Sequence, residues 1–100
     1  MADRWHEYLV ELIVNRSARA NVEWEDLVTA LEREDFVLKP TAHGFIGWHT
    51  DHPTGGTIGA SQPHASGSSS SKVRRPYINR ICDYLSELPG FDGVVGLGDG

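Results

Sequence analysis

Apolar positions along this chain fall into three helical stripes separated by short strand-like runs. Trp5, Tyr8, Leu9, Leu12 and Ile13 recur at spacings of three and four, which predicts an amphipathic helix over residues 4–16 with Asp3 as its N-cap. A polar break at 16–20 precedes a second helix over 22–34. There Trp24, Leu27, Val28 and Leu31 form the stripe, Asn21 is the cap, and Glu23, Glu25 and Asp26 place acid in the first turn, where the helix dipole favours it. A third stripe, Tyr77, Ile78, Ile81, Leu85 and Leu88, predicts a helix from Arg75 or Pro76 to Leu88; proline suits its first turn because the missing N–H has no partner there. Pro89-Gly90 ends it.

Between the second and third stripes the period shortens. Phe36–Lys39 is apolar and stopped by Pro40, Gly44–Thr50 alternates, and Thr57–Ser61 is a third run weakened by Gly59. On the second run, Ile46 and Trp48 are expected on one face and Phe45, Gly47 and His49 on the other. The expected core joins Leu27, Leu31, Phe36, Leu38, Ile46, Trp48, Ile78, Ile81 and Leu85. Three short antiparallel strands need helices on one face to bury their apolar side. The order predicts an α+β fold, a two-layer sandwich of a three-stranded antiparallel sheet with helices packed on one face, plus an extra N-terminal helix.

One hundred residues predict a single domain over 1–90. Its expected appendages are an N-terminal helical extension over 1–20, a mobile Ser/Gly loop over 62–74, and a Gly/Asp-rich tail over 91–100. No apolar run approaches the ~20 residues that cross a bilayer, and the N-terminus has no signal-peptide core, so no membrane contact and a cytoplasmic location are expected. The lone Cys82 excludes an internal disulfide and a cysteine-based zinc cage; on the third stripe it reads as a small core residue.

The net charge of −5 is uneven. Residues 1–36 hold nine acids against four arginines, while Lys72, Arg74, Arg75 and Arg80 fall within nine residues. A protein that holds nucleic acid by bulk electrostatics is basic overall, so any RNA contact here is local to that cluster. His43 stands at the mouth of the second strand, and histidine exchanges protons near neutral pH. His43, His49, His52 and His64 with Asp51 lack the spacing of a metal set, so no metal and no cofactor are expected. The Trp5, Tyr8, Leu9 and Leu12 stripe is either core or a partner surface, the latter including homodimerisation through the N-terminal helix.

The run Asp26-Leu-Val-Thr-Ala-Leu-Glu-Arg-Glu-Asp-Phe36-Val-Leu resembles the opening helix and first strand of HicA-like (YcfA-like) toxins, small mRNA interferases. Thr41-Ala-His43 falls where that family carries a Gly-Ser-His signature, Thr57–His64 is similar to its third strand and following Pro-x-His step, and Arg75-Pro-Tyr-Ile-Asn-Arg-Ile81 to the start of its last helix. The likeness spans about residues 24–90. It implies a double-stranded-RNA-binding-type fold and a metal-independent endoribonuclease of a toxin–antitoxin system, with His43 catalytic and His64 a second acid–base candidate. Lys72, Arg74, Arg75 and Arg80 are then RNA contacts, and RNA or a cognate antitoxin-type protein is the partner. Thr41 and Ala42 replace the glycine and serine of the signature, Asp35 replaces a turn glycine, and the chain is acidic where these toxins tend to be basic. The alternative is a small acidic phage-type or regulatory protein on the same scaffold that binds a protein partner without catalysis.

Overall fold

A computed structural model describes residues 4–62 and 72–91. Its elements are α1 (Arg4–Val14), a 3₁₀ turn (Arg16–Asn21), α2 (Trp24–Arg33), β1 (Val37–Pro40), β2 (Gly44–Trp48), β3 (Ile58–Ser61), α3 (Arg75–Ser86) and a second 3₁₀ turn (Pro89–Phe91). The fold is α+β, with an open antiparallel sheet in the order β1-β2-β3. Asp3, His64 and most of the expected Ser/Gly loop and tail lie outside the described residues. The two ends of those segments that are described are anchored. Val73 is buried and its amide donates to the Val22 carbonyl at 2.8 Å, and Phe91 is buried with its ring stacked on His6 at 4.6 Å.

The N-terminal helix is part of the core. Leu9 and Leu12 are buried among residues of α2 and α3, and Trp5 and Tyr8 pack against the cluster half-buried. α1 touches both other helices. The stripe read as either core or a partner surface is turned inward at Leu9 and Leu12, because a domain this small has too little apolar surface to leave a whole helix face outside its own core. Burial, and then the nearby carboxylates of Asp26 and Glu23, push the Tyr8 phenol up to about 12.

What stops α1 is an arginine. Residues 16–20 were expected to be a polar break, yet Arg19 is buried. Its Nε donates to the Leu12 carbonyl at 2.7 Å, Nη2 to the Ile13 carbonyl at 3.1 Å, and Nη1 to Asn79 Oδ1 on α3 at 3.0 Å. The last carbonyls of a helix have no partner within it, and a cation there also meets the negative end of the dipole. Asn21 does not cap α2; its side chain accepts from Lys72 Nζ at 2.9 Å, and Glu23 occupies the cap position without a side-chain bond.

The end of α2 is a Schellman motif. The Phe36 amide reaches the Leu31 carbonyl and the Asp35 amide the Glu32 carbonyl, while Asp35 takes the left-handed φ of 67° that glycine favours. Phe36 is buried, as is Leu31.

The sheet corrects the expected facing of β2. Register pairs Leu38 with Gly47 and Gly47 with Ile58, and Pro40 with Phe45 and Phe45 with Ala60. These rows face the core, and Phe45, Ile58 and Ala60 are buried. Ile46 and Trp48, expected in the core, stand on the opposite face with Val37 and Lys39; Ile46 is 46% exposed and Trp48 carries the Lys39 ammonium over its ring. The reason is packing at Gly47 and Phe45. A side chain at Gly47 would collide with Leu38, which already fills that space, and Phe45 meets Trp24 of α2 at 5.4 Å.

Two stability measurements check this arrangement. Truncating the fully buried Ile81 to Ala is expected to cost about 2–5 kcal/mol, and Ile46→Ala less than about 1 kcal/mol, in urea unfolding. Asp35→Gly relieves the left-handed strain at the α2 terminus and is expected to raise stability by about 0.5–1 kcal/mol on the same assay. A loss on Asp35→Gly would show that the aspartate side chain contributes more than its backbone costs.

Candidate functional site

His43 lies in a three-residue turn whose backbone is held on both sides. Within the turn, the Thr41 amide donates to the Gly44 carbonyl at 2.8 Å. Beyond the end of β3, the Gln62 amide donates to the His43 carbonyl at 2.6 Å. Gly44, the next residue, sits where a Cβ would collide with the Ala60 carbonyl, so only glycine lets β2 start this close to β3. The turn is thus fixed while the His43 side chain is exposed.

A cleft of about 380 Å³ opens beside the turn, between α2 and the β1–β2 end of the sheet, lined by Trp24, Glu32, Leu38, Thr41, Phe45 and Gln62 among others. The first turn of α3 reaches the same end. Tyr77 donates its hydroxyl to Ser61 Oγ at 3.2 Å, and Ser61 pairs with Gly44 across the sheet.

The four cations of the basic cluster diverge. Lys72 is taken by Asn21 and forms an isolated backbone bridge with Glu23. The Arg75 guanidinium donates to the Arg16 carbonyl at 2.9 Å. Arg74 occupies the N-cap position of α3, exposed. Arg80 lines a different cleft, beside β3. Of the four, Arg74 lies one helical turn before Tyr77, at the His43 end, without another charged group tying it down among the described residues. His64, the second acid–base candidate, lies outside the described residues. Among the described residues no group of three or more His, Cys, Asp or Glu is placed to hold a metal ion, and no helix is long and apolar enough to cross a membrane.

The opposite end of the sheet holds a polar assembly that sequence reasoning passed over. His52 is buried, stacked on the Tyr84 ring at 3.7 Å, with Nε2 3.1 Å from the Tyr84 carbonyl and 3.3 Å from Glu87 Oε2. Facing a carbonyl and a carboxylate, Nε2 carries a proton, and Nδ1 lies 3.2 Å from the Thr54 hydroxyl. The Tyr84 hydroxyl accepts from the His49 amide at 3.0 Å and donates to the Gly56 carbonyl at 3.2 Å. Residues 49–56 are strapped in this way to the last turn of α3. Tyr84, three residues after Ile81 and one before Leu85, was the available signal, since a buried tyrosine must find partners for its hydroxyl. The assembly explains His49 and His52 as structural residues.

Cys82 is buried, and burial pushes its thiol up to about 11; Arg19 pulls it down and Asp83 pushes it up by smaller amounts. In the folded chain the proton is retained above the ordinary value of 9.0. The native state then binds more protons than the unfolded state between pH 9 and 11, so this group makes stability fall as pH rises through that window. Thiol labelling with a disulfide reagent at pH 8 should be negligible in buffer and complete in urea; rapid labelling of the native protein would mean an accessible thiolate. No known protein family, curated protein or solved structure matches the chain.

Proposed function

We propose that this chain is a HicA-like, RNA-directed protein, a metal-independent endoribonuclease of the toxin–antitoxin type that acts in the cytoplasm. In this reading α2, the three strands and α3 form a two-layer scaffold of the double-stranded-RNA-binding type, with α1 as an addition packed against it. The observation that carries the reading is the His43 turn: an exposed imidazole on a backbone pinned from β1 and β3, at the end of the molecule where α3 begins and Arg74 projects.

Cleavage without a metal requires three services. A base takes the proton of the ribose 2′-OH, whose oxygen attacks phosphorus; a cation or amide donor stabilises the extra charge on the phosphorane; an acid protonates the leaving 5′-oxygen. The products are a 2′,3′-cyclic phosphate and a 5′-hydroxyl. His43 serves as the base. Arg74 supplies charge at the phosphate, with Lys72 and Arg75 next to it in the chain, and His64 is the acid. Trp24, half-buried on the cleft beside the turn, offers apolar surface to a base.

A second reading rests on one observation: Lys72 and Arg75 already bond to the chain's own Asn21 and Arg16, which leaves fewer cations for phosphate. With the acidic first third, this favours a non-catalytic module that binds a protein partner.

RNA integrity after incubation with purified protein separates them. His43→Ala is expected to reduce cleavage by at least about 100-fold, the usual worth of a general base, with the unfolding midpoint unchanged. Neutralising Arg74 and Arg75 is expected to weaken RNA binding and to flatten the slope of log affinity against log salt by roughly 1–2. Protein that neither cuts nor binds RNA at low salt would sink the nuclease reading and leave the interaction module.

A further inference from the structure

The cleft beside the His43 turn is apolar along its length and acidic at one end. Its helical wall is a single ridge of α2, where Trp24, Val28 and Glu32 follow at intervals of four and so stand in a row. The chain reverses after α2, so β1 runs back along the helix. Phe36, just before β1, bonds to Leu31, whereas Trp24 meets Phe45, the partner of Pro40 at the end of β1. Trp24 therefore belongs to the turn end of the cleft and Glu32 to the far end. Ala42 and Gly44, on either side of His43, line the turn end.

From Trp24 to Glu32 the helix rises about 12 Å. Helical side chains lean toward the N-terminus, so Glu32 reaches back over the cleft toward the turn. Glu32 is exposed, and among the described residues its carboxylate forms no ion pair or hydrogen bond. The cleft's volume of about 380 Å³ suits a small planar ligand.

We propose that this cleft is a guanine-selective subsite, in which a base lies over Trp24 and Val28 and presents its N1–H and N2–H to the Glu32 carboxylate. The inference rests on the nuclease reading above and adds to it the base that is chosen. A carboxylate only accepts, through two oxygens side by side. Among the four bases of RNA, guanine alone carries two adjacent donors on its Watson–Crick edge. Adenine and cytosine set one amino group beside an accepting ring nitrogen, and uracil sets one N–H between two carbonyls. Each of those turns an acceptor toward the carboxylate, and a site built around a hydrogen bond rejects a ligand that leaves it unpaired. Length favours a purine as well, since its pairing edge stands farther from the sugar than that of a pyrimidine. A carboxylate repels phosphate, so its place away from the turn and Arg74 fits a contact to the base rather than to the backbone. With the base so placed, its own ribose lies at the turn. His43 then faces the 2′-OH of that nucleotide, and the cut follows guanosine.

Two measurements on the full chain test the proposal. The first titrates the protein with the 3′-monophosphates of guanosine, adenosine, cytidine and uridine, read by tryptophan fluorescence. The guanosine nucleotide is expected to bind at least about tenfold more tightly than the others, and Glu32→Gln to remove that preference. Glu32 is exposed, so the unfolding midpoint of the variant should be unchanged. The second maps the ends left on a mixed-sequence RNA. Wild type is expected to cut after guanosine, and Glu32→Gln to bring cleavage there down to the level of the other bases. Cleavage without base preference, or a preference that survives Glu32→Gln, would overturn the subsite and leave the nuclease reading standing. A guanosine preference in binding that Glu32→Gln removes, with no cleavage of any RNA, would support the subsite and sink the nuclease. Equal or absent binding of all four nucleotides, with no cleavage, would remove both.

Discussion

The buried guanidinium of Arg19 is the contact on which the arrangement of helices depends. It is buried, and its partners are two terminal carbonyls of α1 and the amide oxygen of Asn79. A helix that ends inside a protein leaves carbonyls that water cannot reach, and each unmade bond there costs about 1–3 kcal/mol. Arg19 satisfies two of them and at once fixes the distance from α1 to α3. Because α1 also packs on α2, the placement of all three helices follows from where one helix is allowed to stop. The 3₁₀ turn that follows exists to bring that side chain back over the end it caps.

From that frame the two ends of the sheet acquire different characters. At one end a glycine-tight hairpin presents His43, with the beginnings of α2 and α3 nearby. At the other, His52 and Tyr84 close a loop onto the last turn of α3 through backbone carbonyls and an amide, with the Thr54 hydroxyl and the Glu87 carboxylate on the imidazole. The chain therefore places an exposed, backbone-anchored histidine at one pole and a buried, fully bonded one at the other. Only the first lies on the surface.

The helices were legible because each carries a stripe with a single period, and the strands because proline and glycine punctuate them. Facing along β2 was not. Phe45, Ile46 and Trp48 are all large and apolar, so alternation alone does not say which set turns inward; the choice is made by Leu38 filling the space over Gly47 and by Trp24 meeting Phe45. Arg19 was hidden in a polar run, since a buried arginine and a solvated one look alike in sequence. Proximity along the chain misled at the basic cluster as well. Residues 72–80 span a bridge to α2, a cap and a helical turn, so neighbours in sequence leave in different directions. His43 was placed correctly at a strand mouth, while the roles of His49 and His52 needed the hydroxyl of Tyr84 to become visible.

Gly44 carries a consequence for how such turns are read. The carbonyl of Ala60 leaves no room for a side chain there, so the hairpin demands glycine for reasons of strand spacing, whatever His43 does. The glycine after a histidine at this corner thus answers a steric demand of its own. A search that scores the His-Gly pair as a single mark of catalysis would count scaffold as activity.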